Sequence, residues 1–346
     1  MKTRHPDAHA PIRRLITRRE RSARLAADAA RSPCRSNWRA ACVVVITCLA
    51  GAFSPNLLAE THAVVVSGLG GEPDYTQAFT DAAATVARAL DSLENDHGRI
   101  VLLDESATRE DILGAIAERA LAMDGQQPDT FILVLAGHGT ADSSTWRFNV
   151  VGPDITTEDL VAALNDIPAA RQLVILAASA SGAAIEALSQ PQRVLVTATK
   201  SGGEVNAVRF PGYLADAVES TVADIDRNEI LTVAEAFRFA TARTAEYYEQ
   251  QKLLASEHPR LVGELAADIP LALLGSLREA HDDPIVTALL GERLLLEEDF
   301  KQLVARKPEM QVVDYYVALE TLLLDIARLQ QAIDKATGWS DTDAES

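Results

Sequence analysis

Short apolar runs alternate with amphipathic stretches from residue 62 onward. The runs are rich in Val, Leu and Ile at consecutive positions, which is typical of strands buried on both faces. This pattern predicts strands at His62–Ser67, Arg99–Leu103, Phe131–Ala136, Gln172–Ala177 and Arg193–Thr199, with a short hairpin strand at Trp146–Val151.

The stretches between these runs repeat apolar residues every three or four positions, which predicts helices. They cover Tyr75–Leu93, Ile112–Met123 and Ser181–Leu188, and capping sequences for helices begin at Thr108 and Thr156. Strands that alternate with helices predict an α/β fold, in which helices cover both faces of a mostly parallel sheet.

Four loops follow predicted strands: Gly68–Pro73, Gly137–Asp142, Ser179–Gly182 and Lys200–Asn206. Because ligands of open parallel sheets bind beyond the carboxyl ends of the strands, we expect these loops to share one edge and to form the functional site. The α/β domain is predicted to span residues 60–275.

The pattern changes after Pro270, and residues 281–336 are predicted to be helical. Two or three long helices fit the spacing, as a helical hairpin or as a dimerising coil. Their apolar residues are too many to leave in water, so we expect them to pack on something. One interpretation is packing within the chain, and the other is a homodimer or partner interface. Residues 337–346 are polar and acidic, and are predicted to form a disordered tail.

Charge is distributed unevenly along the chain. Residues 1–59 hold 11 Lys/Arg and 3 Asp/Glu, whereas the remaining residues hold 21 Lys/Arg and 47 Asp/Glu. The acidity of the main part argues against binding to nucleic acid or to an anionic membrane surface, because phosphate contacts need clustered cations. The same acidity permits a cationic partner but does not require one.

The first 59 residues have the pattern of an export signal. Basic residues precede a 14-residue apolar stretch, Ala40–Phe53, which is short for a bilayer span and typical of a signal-peptide core. Residues 1–59 are therefore predicted to be a signal peptide or a signal anchor, and the protein to be exported to the periplasm or the extracellular space. The three cysteines, Cys34, Cys42 and Cys48, all lie in this leader, so a mature chain would have no thiol.

Two residues after predicted strands are candidates for chemistry. His138 stands between two glycines and could act as a general base, or it could be a turn histidine without a task. Ser179 opens the loop Ser179-Ala180-Ser181-Gly182, where a helix N-terminus could hold an oxyanion. The competing interpretation is plain strand-to-helix capping by Ser181. Six residues in these loops are candidates for an oxyanion site or a substrate groove: Gly139, Ser181, Gly182, Thr199, Lys200 and Ser201.

An acidic turn resembles a calcium loop. Asp224, Asp226, Asn228 and Glu235 occupy ligand positions of an EF-hand spacing, but Glu229 stands where that loop needs glycine for its sharp turn. The same residues could simply form a turn and a helix start. Calcium is therefore a candidate ligand, and no other cofactor or metal is expected.

The ordered set of these segments resembles the caspase-like clan of cysteine peptidases, most closely its legumain-type and bacterial caspase-like branches. The resemblance covers about residues 62–275. The segments that carry it are Gly137-His138-Gly139, Ser179-Ala180-Ser181-Gly182, Thr197-Ala198-Thr199-Lys200-Ser201-Gly202-Gly203, Phe210-Pro211-Gly212-Tyr213, Asp224-Ile225-Asp226 and Glu235-Ala236-Phe237.

This resemblance implies a caspase-like sandwich in which His138 is the catalytic histidine. It also puts Ser179 at the position of the nucleophilic cysteine. A serine hydroxyl is far less acidic than a thiol, so it needs a base that is itself held in orientation, usually by a carboxylate. Asp142 is a carboxylate close to His138 in the sequence and is the candidate for this role. We therefore expect a degenerate peptidase site that binds a peptide or protein. The alternative is an active hydrolase with Ser179 as nucleophile and His138 as base.

Overall fold

The structure is a computed structural model that describes residues 60–338, apart from 94–97, 124, 126, 128 and 143–144. The predicted leader and residues 339–346 of the predicted tail lie outside the described residues. The described strands are β1 (Thr61–Ser67), β2 (Ile100–Leu103), β3 (Thr130–Gly137), β4 (Gly139–Ala141), β5 (Trp146–Phe148), β6 (Ile155–Thr156), β7 (Arg171–Ala178), β8 (Arg193–Thr197), β9 (Ile230–Thr232), β10 (Arg260–Val262) and β11 (Pro270–Leu273).

Helices connect most of these strands. The described α-helices are α1 (Pro73–Asp91), α2 (Arg109–Ala122), α3 (Thr157–Asn165), α4 (Ile185–Leu188), α5 (Phe210–Glu219), α6 (Val233–Gln250), α7 (Gly275–Glu279), α8 (Pro284–Arg306) and α9 (Val312–Thr337). Capping boxes at Thr108 and Thr156 begin α2 and α3, as the sequence predicted. A third capping box, at Thr232, begins α6.

Six strands form one mixed, mostly parallel sheet in the described part of the chain. Their order is β2-β1-β3-β7-β8-β10, and only the β8–β10 pair is antiparallel. Every residue of β1 and β3 is buried. The prediction of an α/β fold with a mostly parallel sheet is therefore confirmed.

The two faces of this sheet support separate cores. Val65 and Val134 belong to a cluster that also contains residues of α1, α5 and α6. Val64 and Leu133 point the other way, into a cluster with residues of α2, α3 and α4. Since side chains alternate along a strand, continuous apolar runs are what two covered faces require.

Two small antiparallel sheets extend this framework. Strand β5 lies between β4 and β6, while β9 pairs with β11. The predicted strand at Trp146–Val151 is real but ends at Phe148. The sequence did not predict β4, β6, β9, β10 or β11, each of which has four residues or fewer and lies outside the apolar runs that predicted the parallel sheet.

Two predicted elements differ in detail from the structure. The predicted helix Ser181–Leu188 begins as a 3₁₀ turn, Ser181–Ala184, and becomes α-helical only at α4. The predicted strand Arg193–Thr199 ends at Thr197, whose Oγ1 donates to the Thr199 carbonyl at 2.7 Å. The chain therefore turns two residues earlier than its apolar run suggests.

The C-terminal helices α8 and α9 form a hairpin, as one of the predicted arrangements required. Val286 of α8 and Ile333 of α9 pack with Ile230, Leu273 and Leu277. The buried Arg293 of α8 donates to Gln330 of α9 at 2.6 Å. Helix α9 runs to Thr337 and is followed by Gly338 (φ 75°).

No helix among the described residues is both long enough and apolar enough to cross a bilayer.

A buried arginine joins three elements on the second face of the sheet. Arg193 of β8 is 1% exposed, and donates to Gln172 Oε1 at 2.8 Å, the Leu188 carbonyl at 2.8 Å and Asn165 Oδ1 at 3.1 Å. All three acceptors are neutral, and burial lowers the pKa of Arg193. The guanidinium group therefore acts as a multiple hydrogen-bond donor inside the fold.

We expect Arg193→Met to lower the free energy of unfolding by about 3 kcal/mol, because it leaves buried acceptors without a donor. The exposed Arg260 of β10 is the control, and Arg260→Met should change stability by less than about 0.5 kcal/mol. Urea unfolding followed by circular dichroism measures both. Equal stability of the two variants would contradict the role given to Arg193.

Candidate functional site

His138 and Ser179 lie at the same edge of the sheet. His138 follows β3 and Ser179 follows β7, and these parallel strands are paired up to Gly137 and Ala178. The loops Gly68–Pro73 and Lys200–Asn206 follow β1 and β8, which belong to the same sheet. The predicted clustering of the four loops at one edge follows from this strand order.

A hydrogen bond from the Trp146 indole connects the hairpin after β3 to the loop after β7. Trp146 Nε1 of β5 donates to the Ser179 carbonyl at 2.9 Å. A Cβ on Gly139 would lie only 2.6 Å from that carbonyl and 2.6 Å from Trp146 Nε1, so only glycine fits there. Trp146 was predicted to start the hairpin strand but was not predicted to belong to the site.

The His138 ring is held by a carbonyl and two aromatic rings. Its Nε2 bonds to the Gly70 carbonyl at 3.1 Å, and its centroid lies 5.4 Å from Tyr75 and 5.1 Å from Phe79, both edge-on. Because a carbonyl oxygen only accepts hydrogen bonds, Nε2 is the protonated nitrogen. The basic lone pair of the neutral ring is therefore on Nδ1.

The Ser179 hydroxyl is enclosed in the protein. Ser179 is 1% exposed, and its Oγ has no hydrogen-bond partner among the described residues, so it is not bonded to His138. An unpaired buried hydroxyl costs about 1–3 kcal/mol of folding stability. The structure thus brings the two candidates to adjacent strand ends without joining them as a nucleophile and its base.

Asp142, the carboxylate considered for orienting His138, has other partners. It forms an ion pair with Arg147 at 2.9 Å, and its Oδ1 accepts the Thr145 N–H at 3.0 Å. These contacts tie Asp142 into the β4–β5 turn.

The groove candidates bond mainly to one another. Gly182 N–H donates to Thr199 Oγ1 at 3.0 Å, and Thr199 Oγ1 donates to the Ser201 carbonyl at 3.3 Å. Ser181 Oγ lies 3.3 Å from Thr199 Oγ1 and accepts the Thr199 N–H at 3.3 Å. A Cβ on Gly182 would lie 2.2 Å from the Lys200 backbone. These residues therefore build the junction between two loops, and the Gly182 amide does not point to an open groove.

A charged cluster closes the side of this junction. Glu204 bonds to Lys200 N–H at 2.9 Å, to His258 N–H at 3.1 Å and to the His258 ring. Lys200 Nζ lies 3.5 Å from Glu204 and 3.3 Å from His258 Nδ1. Burial raises the pKa of Glu204, but these hydrogen bonds outweigh it and leave the pKa below its usual value. His258 was missed because it is 54 residues from Glu204.

An open cleft of 240 Å³ adjoins His138. Tyr75 and Phe79 of α1, which touch the His138 ring, line it together with Arg209 and with Tyr213 and Asp216 of α5. Burial raises the pKa of Tyr213. This cleft was not predicted from the sequence, because α1 and α5 are far apart along the chain.

The acidic turn does bring its carboxylates together. Ligand oxygens of Asp224, Asp226 and Glu235 all lie within 4.8 Å of one another. Asp224 accepts the N–H groups of Asn228 at 3.2 Å and of Glu229 at 2.8 Å. These bonds stabilise the turn by themselves, and calcium binding stays a prediction.

Glu229 adopts a left-handed backbone conformation at the position where a calcium loop needs glycine. Its φ is 61°, a value that favours glycine. Its carboxylate accepts Ser276 N–H at 3.2 Å, Ser276 Oγ at 2.7 Å and Leu277 N–H at 3.1 Å. The side chain therefore caps α7, which explains why a glutamate occupies this position.

In comparisons with known proteins, no family model matches the chain and no curated protein matches it significantly.

We expect Asp226→Asn to raise the melting temperature at pH 7 by about 1–3 °C, allowing for the exposure of this residue. Burial, followed by the charges of Glu235 and Asp224, raises the pKa of Asp226 to about 6. A raised carboxyl pKa means that the native state binds the proton more strongly, so stability falls as pH rises from about 4 to about 6.

Thermal unfolding at pH 4 and pH 7 checks this expectation. The two proteins should melt alike at pH 4, and the variant should gain its advantage above pH 6. Glu105→Gln removes one exposed negative charge from the turn after β2, and serves as the control for net charge. A rise in melting temperature at pH 7 that is as large for Glu105→Gln as for Asp226→Asn would contradict the raised pKa of Asp226.

Proposed function

We propose that residues 60–275 form a caspase-like domain of the legumain-type or bacterial branch, with a degenerate peptidase site that binds a peptide or protein. The order of the elements supports this proposal. One apolar strand ends in Gly137-His138-Gly139, and its parallel neighbour leads into Ser179-Ala180-Ser181-Gly182. This is the order of segments that the resemblance requires.

The surroundings of Ser179 are the main support for the proposal that the peptidase site is degenerate. Ser179 Oγ is sealed from solvent and has no hydrogen-bond partner among the described residues. Meanwhile His138 Nε2 is bonded to the Gly70 carbonyl. A serine nucleophile needs a base within hydrogen-bond reach, and a substrate carbonyl must reach its oxygen. Neither condition is met in this arrangement.

Binding of a peptide requires an accessible cleft but does not require a nucleophile and its base. The 240 Å³ cleft beside His138 is open and has aromatic walls from Tyr75, Phe79 and Tyr213. Its neighbourhood is kept rigid by the Trp146–Ser179 bond and by the Glu204 cluster. A preformed, partly apolar cleft next to a closed catalytic position is what a peptide-binding descendant of a peptidase would retain.

The alternative is an active hydrolase that uses Ser179 and His138. It is favoured by their placement on adjacent strand ends. This function would need the loop at Ser179 to open and the His138 ring to leave Gly70.

We also propose export to the periplasm or the extracellular space, on the basis of the basic and apolar pattern of residues 1–59. A chain whose cysteines all lie in this leader could work in an oxidising compartment without forming a disulfide.

We expect the purified protein not to react with a fluorophosphonate probe, which labels activated serines. Denatured protein and the Ser179→Ala variant set the background. Labelling of the native protein that disappears in Ser179→Ala would establish the hydrolase and overturn the proposal of degeneracy.

A second variant tests whether the position itself is accessible. In Ser179→Cys, the introduced thiol should react with iodoacetamide at least about tenfold more slowly in the native protein than in urea, because the site is enclosed. Peptide mapping separates the introduced thiol from those of the leader cysteines. Rapid native labelling would show that the loop opens and would favour the hydrolase.

A further inference from the structure

The cleft beside His138 contains an arginine, Arg209, whose positive charge acts on the buried Glu257 carboxylate over a distance longer than an ion pair. Arg209 forms no ion pair within 4.0 Å among the described residues, although residues 60–346 carry a large excess of acids. Its guanidinium lies over the Tyr247 ring, 4.9 Å from the centroid. Stacking holds the flat group in place and leaves its N–H groups able to bind an anion.

The backbone of Arg209 is fixed independently of its side chain. The buried carboxylate of Glu257 accepts the N–H groups of Arg209 at 2.8 Å and of Phe210 at 3.2 Å. Tyr248 Oη donates to the same carboxylate at 3.1 Å. A change of the Arg209 side chain therefore leaves the start of α5 capped.

The size and walls of the cleft limit what can enter it. A volume of 240 Å³ is below the range of sites for drug-sized molecules and suits a single side chain. Tyr75, Phe79 and Tyr213 make the walls apolar, while Arg209 provides a cation at the edge. Asp216 also lines the cleft and would repel a carboxylate.

We propose that this cleft binds a carboxylate carried on an apolar body, as a peptide subsite next to His138. The carboxylate pairs with the Arg209 guanidinium, and the apolar part packs on the aromatic walls. This proposal rests on the proposed peptide-binding function and names the chemistry that it recognises. The carboxylate can come from the C-terminus of a peptide or from an acidic side chain within it.

Three synthetic peptides separate these sources: acetyl-Ala-Ala-Phe with a free carboxyl end, its amide, and the amide of acetyl-Ala-Glu-Phe. Calorimetry with the full chain measures their affinities. We expect the free acid, the glutamate peptide or both to bind about tenfold more tightly than the neutral amide, since a charged hydrogen-bond pair contributes that much. The acidic peptide that binds more tightly shows whether the carboxylate comes from the C-terminus or from an acidic side chain.

Variants of the cleft decide whether Arg209 is responsible. Arg209→Gln should reduce binding of the acidic peptide to that of the amide, whereas Asp216→Asn should strengthen it. Arg209→Lys keeps the charge and should retain part of the preference. Equal binding of acid and amide, or an Arg209→Gln variant that keeps the preference, overturns the proposal for the cleft. After either of these results, binding of the amide peptide would still support the proposal that the protein binds peptides.

A second observation concerns the C-terminal hairpin. One side of α9 exposes Val313, Tyr316, Val317, Leu323 and Leu324, each between 47% and 73% exposed. We call these five residues the α9 stripe. At 100° per residue they lie on a different side of the helix from the buried Tyr315, Leu329 and Ile333. The stripe is therefore not the face of α9 that packs against the other described residues.

The stripe is large enough for the centre of an interface. Five such side chains expose roughly 500 Å² together, which is near the upper limit for the largest apolar patch of a monomer. A standard interface buries roughly 800 Å² per partner, of which an apolar centre of this size forms the main part.

The charges along α9 indicate what covers the stripe. Glu320 and Arg328 lie on the stripe side of the helix, four residues before and four after Leu324. If two copies of α9 pack antiparallel and cross at Leu324, Glu320 of each copy faces Arg328 of the other. Arg328 is 72% exposed, and among the described residues it bonds only to its neighbour Asp325, at 2.9 Å, so it can change partner at little cost.

We propose that the α9 stripe binds a second copy of this chain, so that two hairpins form an antiparallel four-helix bundle. The two-fold axis passes near Leu324, and two Glu320–Arg328 pairs flank it. This arrangement is isologous and closes as a dimer. It gives the exposed apolar residues of α9 a partner of matching shape and charge.

A charge-reversal cycle tests this interface by sedimentation velocity on the full chain. We expect the wild type to be a dimer, Glu320→Arg and Arg328→Glu each to weaken it about tenfold or more, and the double reversal to restore it. Arg243→Glu changes another exposed arginine that pairs with an acid three residues away, on α6, and should leave the dimer unchanged. A monomeric wild type overturns the proposal, and so does a double variant no better than the single ones.

Discussion

The parallel pairing of β3 with β7 is the contact on which the rest of the molecule depends. Both strands are buried along almost their whole length, and their register runs from Thr130 opposite Arg171 to Gly137 opposite Ala178. A shift of one residue would exchange the two sides of each strand and disrupt both cores. The register is therefore strongly determined, and it brings the ends of the two strands, with His138 and Ser179, side by side.

The close approach of these strand ends also restricts their chemistry. Glycines at 139 and 182 let neighbouring backbones meet at distances that no side chain could tolerate. The polar groups that would serve a peptidase are then used inside the protein: the Ser179 carbonyl by Trp146, the Gly182 amide by Thr199 and His138 Nε2 by the Gly70 carbonyl. The cleft between α1 and α5 is open, and it is the place where the proposed binding of a peptide or protein would occur.

Two positions show how a local pattern can be misjudged without its distant partner. Glu229 lacks the glycine that its turn favours, yet its carboxylate caps α7, 46 residues later in the chain. Lys200 and Glu204 are opposite charges close together in the sequence, and in space they pair with each other and with His258. In both cases a long-range hydrogen bond decides the role of the residue.

The sequence by itself determined the elements whose signal is local. Apolar runs located β1, β2, β3, β7 and β8, capping residues located the starts of α2 and α3, and strand order implied a common edge for the loops. It could not locate α5 within the cleft, the Trp146 bond or the Glu204–His258 pair, because these join residues 33 to 54 positions apart or more. Whether Ser179 is exposed or enclosed was likewise decided only by tertiary structure, since burial depends on how neighbouring loops pack. Hydrophobic periodicity is encoded over a few residues, whereas the partner of a hydroxyl or carboxylate is chosen by the fold.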